Sequence, residues 1–442
     1  SPKVNEQLAN LPEMREMHPL QDESTCQGIM EIMYNTDLYM REISGMDRFS
    51  FQPSGGSQGI LGMASLVYAY YKSRGEEKER NEIITTIYSH PSDAAAPHVK
   101  GFKIIYLHPD ENGYPDYEAF KAAVNEHTAA FFVANPEDTG VYNKNVLKFT
   151  KLVHEAGGLC AYDQANANGL LGVTRARDAG FDMCFFNLHK TFSTPHGGGG
   201  PGIGPIGVAE HLVPFLPGHL TLGHEEGAVA SAAWGSASIA AICWMYLSMM
   251  GPDGLREATE MAILNANYIA KKLGHLFPVL YSGNKGLVAH ECILDPRQLT
   301  HDAGLTVDDI AKRLMDYGFH GPTMSFPVPG TLMVEPTESE PKKELDRFIE
   351  AMERIHAEIT AIINGTADKE DNVLKNSPHT AEMVSADEWR HPYSRSEAAY
   401  PVSGLLIHKF WPYVGRVDNV YGDRNLVCTC DTVEEFSKAV EL

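Results

Sequence analysis

The stretch NLHKTFSTPHGGGGPGIGPIGV, residues 187–208, decides how the rest of the chain is interpreted. Within it, Lys190 follows the apolar run DMCFFN (182–187) and precedes a run of glycines that is longer than an ordinary turn needs. Taken alone, a lysine here is typical of a solvated surface, and a glycine run is typical of a loop. The flanking segments change this interpretation, because they place the lysine at the end of a strand in a large sheet.

Short apolar runs alternate with helix-like segments along most of the chain. The strand-like runs are IITTIY (83–88), KIIYL (103–107), AAFFVAN (129–135), GLCAYD (158–163), DMCFFN (182–187) and PIGVA (205–209). The helix-like segments include residues 25–43, 57–73, 117–126 and 145–158. Apolar strands that alternate with helices predict an α/β fold, in which a mostly parallel sheet is covered on both faces.

The character of the sequence changes twice, which predicts three regions. Residues 1–45 form an N-terminal arm, residues 46–255 a large α/β domain, and residues 256–442 a smaller α+β domain. The clearest helical periodicity of the last region lies at 307–318 and 341–363.

Charge and hydropathy exclude two classes of partner. With 36 basic and 58 acidic residues the formal net charge is −22, so we expect neither nucleic acid nor an anionic membrane surface as a partner. The polar N-terminus contains no signal-peptide core. The uncharged segment from Gly227 to Gly251 is long enough to span a bilayer. Serines and glycines dilute its first half, so we predict a helix buried in the core or at a subunit interface.

The seven cysteines are scattered and show neither a disulfide framework nor the spacing of a metal site. We therefore expect no metal, and a reducing, cytoplasmic location.

Polar residues follow three of the predicted strands. Asp163 ends one strand 27 residues before Lys190, and Asn135 ends another within NPEDTG. Because ligands of open parallel sheets bind beyond the carboxyl ends of the strands, we expect these three side chains to converge on one ligand.

Pyridoxal phosphate needs such a set of residues. It needs a lysine amine for an imine and for proton transfer, and an acid against its pyridine nitrogen. Lys190 and Asp163 supply these groups, while Asn135 is a donor for the phenolic oxygen and His90 is a candidate to stack on the ring. Further cofactor contacts are predicted at the start of a helix, where free N–H groups bind phosphate, and beside the lysine: Gly56, Ser57, Gln58 and His189.

The lysine segment is similar to that of the glycine cleavage system P-protein family, glycine dehydrogenase (decarboxylating). Further matching pieces are HPLQDESTCQG (18–28), EISGMD (42–47), HEAGGLCAYDQANANGLLG (154–172) and FWPYVGRVDNVYGDRNLVCTC (410–430). The resemblance runs through nearly the whole chain. It implies fold type I, the aspartate aminotransferase-like fold of pyridoxal-phosphate enzymes, with the cofactor on Lys190.

In length, the chain resembles the second subunit of the split form of this enzyme, which corresponds to the C-terminal half of the single-chain form. The resemblance implies a pyridoxal-phosphate-dependent oxidoreductase that decarboxylates glycine and transfers the aminomethyl group to the lipoyl group of H-protein. It also implies P-protein subunit 1 as a partner, and we predict an α₂β₂ heterotetramer. Arg416 and Arg395 are candidates for the substrate carboxylate, although the sequence favours surface ion pairing for either one.

The chain departs from the family pattern near the expected stacking residue. The family reads Ser-Ala-His-Gly-Thr-Asn-Pro, whereas residues 88–94 read Tyr-Ser-His-Pro-Ser-Asp-Ala, and NPEDTG replaces Asn-Pro-Asn-Thr-Leu-Gly. Two alternatives therefore stay open: a paralogue that acts on another amino acid or acceptor, and a subunit that binds cofactor but mainly acts as a scaffold.

Overall fold

A seven-stranded sheet lies at the centre of the computed structural model, which describes residues 2–18, 20–196, 200–223, 227–426 and 432–439. Its strands are β1 (Arg48–Ser50), β2 (Glu82–Thr86), β3 (Lys103–Leu107), β4 (Thr128–Ala134), β5 (Leu159–Gln164), β6 (Met183–Phe186) and β7 (Ile206–Val208). They lie in the order β1-β7-β6-β5-β4-β2-β3. Strands β2 to β6 are parallel, while β7 and β1 are antiparallel to their neighbours. The predicted α/β class is confirmed.

Apolar side chains of the central strands alternate between the two faces of the sheet. Phe131 and Phe186 pack into the core on one face, whereas Phe132 and Phe185 pack into the core on the other. All four are almost completely buried. Because both faces need cover, these strands read as continuous apolar runs rather than as alternating ones.

Helices cover both faces of this sheet. They are α1 (Lys3–Ala9), α2 (Pro12–Arg15), α3 (Gln27–Ser44), α4 (Gly56–Arg74), α5 (Ser92–Val99), α6 (Tyr117–Ala123), α7 (Val146–Glu155), α8 (Leu188–Thr191) and α9 (Ala240–Leu273). Helix α4 approaches β6 closely because residue 59 is glycine. A Cβ atom there would lie 2.8 Å from the ring of Phe185.

The uncharged segment is helical only in part, so the prediction of one helix over Gly227–Gly251 is wrong. Helix α9 begins at Ala240, and its first turn is buried. Gly251 adopts φ 61° and is followed by Pro252, which lacks an N–H for the helix. The two residues kink α9 at the end of the segment. Within the described parts of the chain, every helix is too short or too polar to cross a membrane.

The chain divides into two compact units at other places than residue 255. The first unit contains residues 1–297 and 322–349, and the second contains 298–321 and 350–442. Helix α9 continues through residue 255, and a small antiparallel sheet that follows it belongs to the first unit. The strands of this sheet are β8 (Cys292–Leu294), β9 (Thr323–Met324) and β10 (Leu332–Val334).

In its described residues the second unit is helical, whereas the three strands that lie within the predicted α+β region 256–442 belong to the first unit. The remaining helices, two of which cross the boundary between the units, are α10 (Arg297–Ala303), α11 (Val307–Asp316), α12 (Lys342–Ile363), α13 (Ala381–Ser385), α14 (Arg395–Ala399), α15 (Asn419–Arg424) and α16 (Val433–Ala439). Fully buried Arg313 donates to Asp316 at 3.0 Å and to Glu358 at 2.7 Å. A buried guanidinium is stable only when paired in this way.

Because α4 packs closely against β6, two glycine-to-alanine substitutions should differ in their effect on the free energy of unfolding. Gly59→Ala should lower the free energy of unfolding by about 1–3 kcal/mol, because the methyl group must displace the Phe185 ring. Gly28→Ala is the matched control: it lies in α3, where nothing occupies the space within 4 Å of the new carbon. That control should be neutral or stabilising, by up to about 1 kcal/mol. Urea unfolding measures both, and equal effects would contradict the contact.

Candidate active site

Lys190 is exposed at the carboxyl edge of the sheet, in the short helix α8 that follows β6. Its backbone N–H donates to the carbonyl of Asn187 at 3.1 Å. The hydroxyl of Thr191 accepts the N–H of Ala167 at 2.9 Å, which ties α8 to the loop after β5. Among the described residues the Lys190 amine forms no ion pair, so it is available to a ligand.

Asp163 lies at the carboxyl end of β5, where its Cα is paired with those of Ala134 and Phe185 on the two neighbouring strands. Only 7% of the residue is exposed. Its Oδ1 accepts the N–H of Ala165 at 2.8 Å. Burial raises the pKa of Asp163, and the Ala165 N–H and the Lys190 ammonium oppose that rise.

His90 lies in the loop between β2 and α5. Its Nδ1 accepts the backbone N–H of Ser92 at 3.2 Å and lies 2.7 Å from the Ser92 hydroxyl. Since a backbone N–H can only donate, Nδ1 is the acceptor and the neutral ring carries its proton on Nε2. Partial burial lowers the pKa of His90, and Lys190 lowers it further against the opposing effect of Asp163.

The predicted phosphate site lies at the first turn of α4. The N–H groups of Gly56, Ser57 and Gln58 precede the first bond of the helical ladder, which Gly59 makes to the carbonyl of Gly55. The side chain of Gln58 accepts from the N–H and the hydroxyl of Ser54, at 2.9 and 2.8 Å.

The Oδ1 of Asn187 is buried beside this turn and has no hydrogen-bond partner among the described residues. A Cβ on Gly56 would lie 3.1 Å from the Asn187 amide nitrogen. Gly202 packs here too: a Cβ there would lie 2.1 Å from the carbonyl oxygen of Ser54, so only glycine fits. The predicted glycine run 197–200 lies outside the described residues except for Gly200.

Asn135 and His189 have protein partners in addition to any ligand. The Asn135 amide accepts from the N–H of Asn143 at 2.7 Å and donates to its carbonyl at 3.2 Å, which leaves one amide proton. The His189 ring packs edge-on against His196, with 4.8 Å between centroids. Burial, His196 and Lys190 lower the pKa of His189 to about 4.

Four acids and a histidine of the candidate site were not predicted from the sequence. The positive charge of Lys190 lowers the pKa of Asp138 and of Glu291, as it does for Asp163. It also lowers the pKa of His290, as it does for His90. Burial is the main cause of each shift, and it raises the pKa of Asp138 to about 7. The other missed acids are Asp93 and Glu335. Asp138 lies within NPEDTG and Asp93 within the altered stretch 88–94, but nothing local in the sequence marks Glu291, Glu335 or His290.

Glu335 joins the small antiparallel sheet to the loop after β5. Its Oε1 accepts from the amides of Asn166 at 2.6 Å and Asn168 at 2.9 Å, and lies 3.9 Å from the Nε2 of His290. The His290 ring packs against residue 169, where a Cβ would lie 2.7 Å from its Nδ1. The polar lining around Lys190 is therefore rich in acids and histidines.

Arg416 and Arg395 have structural partners within the second unit. Arg416 pairs with Asp309 at 2.6 Å and donates to the carbonyl of Ser377 at 3.0 Å. Arg395 donates to the carbonyl of Ala386 and lies 5.6 Å from the ring centre of Trp389. These contacts favour the ion-pairing and packing interpretation of both arginines over the role in carboxylate binding.

His154, Cys160 and Asp182 have potential metal-ligand atoms within 4.8 Å of one another. The Asp182 carboxylate already accepts from His154 at 2.7 Å and from the Cys160 backbone N–H at 2.8 Å. The group therefore satisfies itself by hydrogen bonds, and we give it a structural role.

The chain is similar to known proteins along most of its length. Residues 58–227 match the aminotransferase class-V family, and residues 258–379 match the glycine dehydrogenase C-terminal domain family. A glycine dehydrogenase (decarboxylating) of Akkermansia muciniphila is 70% identical over 434 residues, which cover 98% of this chain and 46% of that protein. Over nearly its whole length the chain is similar to the C-terminal half of glycine dehydrogenases (decarboxylating). The resemblance stated from the sequence is thereby confirmed.

The glycine dehydrogenase (decarboxylating) of Nostoc punctiforme is 49% identical over 435 residues, covering 96% of this chain and 44% of that protein. The chain thus spans about half the length of the curated relatives it matches, and it corresponds to their C-terminal half.

Two solved structures support fold type I. One is the glycine decarboxylase (P-protein) of the glycine cleavage system in inhibitor-bound form, with a TM-score of 0.65 and 20% identity over 80% of this chain and 82% of that chain. The other is a NifS-like protein, with a TM-score of 0.63 and 17% identity over 81% and 96%. The predicted fold type is confirmed.

The buried carboxyl of Glu137 predicts how stability depends on pH. Burial raises its pKa from 4.5 to about 8, although Thr86 donates to it at 2.9 Å. Between these values the folded state keeps a proton that the unfolded state loses, so this group makes stability fall as pH rises. Glu137→Gln has no carboxyl group that can ionise at this position, so it lacks this fall in stability. The stability of the variant relative to wild type should grow by about 3–4 kcal/mol from pH 5 to pH 8.

Urea unfolding at several pH values measures the change, and Glu126→Gln is the control, because it removes one charge from an exposed position. Parallel profiles for wild type and Glu137→Gln would contradict the buried, protonated state.

Proposed function

We propose that this chain is the pyridoxal-phosphate-bearing half of a glycine decarboxylase that transfers the aminomethyl group to the lipoyl group of H-protein. The observation that carries the proposal is the arrangement of Lys190 and buried Asp163 at one edge of the sheet, in a chain whose relatives are glycine dehydrogenases. The family is pyridoxal-phosphate dependent.

The described residues fit this cofactor. Lys190 offers an unpaired amine, and Asp163 offers a carboxylate beside it. The first turn of α4 offers the N–H groups of Gly56, Ser57 and Gln58, which precede the helical ladder. A Cβ on Gly56 would lie 3.1 Å from the Asn187 amide nitrogen, and one on Gly202 would lie 2.1 Å from the Ser54 carbonyl oxygen, so glycine at both positions lets this turn pack closely. We infer that these groups hold the imine, the ring nitrogen and the phosphate respectively.

When bound, pyridoxal phosphate supplies an electron sink for the pair released from a broken C–C bond. Asp163 would hold a proton on the pyridine nitrogen, and burial strengthens this interaction because water does not screen it. Lys190 would move protons at the substrate amine and at the reacting carbon. His90, neutral and with its tautomer fixed by Ser92, would cover the ring face.

The proposed net reaction breaks the bond between the α-carbon and the carboxylate of glycine and releases CO₂. The electron pair left on the α-carbon forms a C–S bond with one lipoyl sulfur. The lipoyl S–S bond breaks, and the second sulfur takes up a proton. Glycine is thus oxidised while the lipoyl disulfide is reduced.

The acid-rich lining supports the need for a second half. Within the described residues, the groups whose pKa values are shifted by the Lys190 charge are three acids, Asp138, Asp163 and Glu291, and three histidines. The substrate carboxylate therefore needs a cation from elsewhere. We propose that P-protein subunit 1 completes the site in an α₂β₂ assembly. The five described cysteines are free, which supports a cytoplasmic location.

The same lining favours one alternative, a paralogue for another amino acid. A partly buried Asp138 beside Lys190 would bind a cationic or hydroxylated substrate group better than it would tolerate a second carboxylate.

The first test of this function locates the cofactor. Incubation with pyridoxal phosphate and reduction with borohydride should attach the label to Lys190, because its amine is exposed and unpaired. Peptide mass spectrometry reads the position. Lys190→Ala should lose the label, while Lys144→Ala, which removes another exposed lysine, should keep it. A label on a different lysine would overturn the assignment.

The second test concerns the substrate and the partner. Lipoyl-dependent exchange of bicarbonate into glycine should be strong when subunit 1 and H-protein are added, and at least about tenfold weaker without subunit 1, since one substrate-binding cation is then missing. Light scattering should show the matching change in mass. Full activity of the isolated chain as a monomer would contradict the split-site proposal, and exchange with another amino acid but not with glycine would favour the paralogue.

A further inference from the structure

Asp93 is a buried acid that the proposed mechanism does not use. It is the second residue of α5 and has no exposed surface. Neither of its carboxyl oxygens accepts a well-aligned hydrogen bond within the described residues. A buried, ionised carboxylate without donors is one of the least stable arrangements in a protein.

Asp93 has another acid as a neighbour. The carboxyl groups of Asp93 and Asp163 lie within hydrogen-bonding reach of each other. Two carboxylates at this separation repel unless one proton lies between them, as in other acid pairs that share a site. The geometry therefore requires a proton on one of the two.

The surroundings decide which carboxyl holds the proton. Asp163 accepts the N–H of Ala165 and is affected by the positive charges of Lys190 and of His90 when protonated, and all of these favour its ionised form. The two charges that act most strongly on Asp93 are those of Asp163 and Asp138, and both are negative. The Ser89 hydroxyl and the N-terminus of α5 favour a charge on Asp93, but its complete burial outweighs them.

We propose that Asp93 stays protonated at neutral pH and donates its proton to Asp163, so that Asp93 is the positioning residue for the carboxylate that faces the cofactor. Two donors, the Asp93 carboxyl and the Ala165 N–H, then fix the Asp163 carboxylate. The pair carries one negative charge rather than two. Only the effect of this pair on cofactor binding rests on the proposed function, because the pair itself exists in the cofactor-free chain.

The test uses the cofactor-free full chain and infrared difference spectroscopy at neutral pH. Subtracting the spectrum of Asp93→Asn from that of wild type should leave the carbonyl stretch of one protonated carboxylic acid, shifted in deuterium oxide. Glu137→Gln is the positive control for detection, since it removes another acid whose pKa burial raises. A difference spectrum without this band would overturn the proposal.

Cofactor affinity separates positioning from a merely structural role. In Asp93→Asn an amide N–H replaces the acid proton, so the dissociation constant for pyridoxal phosphate should stay within about threefold of wild type. Asp93→Leu has no donor and should weaken binding by about tenfold or more. If Asp93→Leu fails to fold, the spectrum of Asp93→Asn still decides. Wild-type affinity in a folded Asp93→Leu would contradict the positioning role. If the carboxylic-acid band is present but the protein shows no lipoyl-dependent exchange, the result counts against the proposed function. The proposal of a proton shared by Asp93 and Asp163 then still stands.

Discussion

Parallel strands end at one edge of a sheet, and every group of the candidate site depends on this constraint. In β4, β5 and β6 the register aligns Ala134, Asp163 and Phe185 across the sheet, so the residues that follow lie side by side. Apolar side chains fill both faces and leave only the edge for polar groups. A carboxyl placed there is largely shielded from water but still reaches the loops. This explains why acids around Lys190 have raised pKa values while the lysine amine stays exposed.

Much of this edge could be predicted from the sequence because its signals are local. Lys190 and Asp163 each follow an apolar run, and such runs reveal where strands end. The first turn of α4 was found for a similar reason, since the glycines directly precede a clear helical pattern. For these residues, position along one element was enough to predict position in the fold.

The rest of the site depends on contacts between distant segments. Glu335 reaches Asn166 and Asn168 only because the small antiparallel sheet belongs to the first unit, which no local pattern indicates. Arg416 is the converse case. Its charge type suited a carboxylate, but Asp309, more than a hundred residues earlier in the sequence, is its partner. The start of α9 at Ala240 was missed because composition alone cannot distinguish an apolar loop from an apolar helix.

The contact between Gly59 and the Phe185 ring also limits how α4 can move along its own axis. A one-residue screw shift, about 1.5 Å along the axis with a rotation of about 100°, would place the side chain of Gln58 or Ile60 against the ring. Both side chains are too large for the space that glycine leaves. The contact between Gly59 and Phe185 thus sets the distance from the first turn of α4 to Lys190, although neither residue is proposed to bind a ligand. Substitutions at Phe185 would therefore change the spacing between the proposed phosphate and imine positions without altering any residue proposed to bind either one.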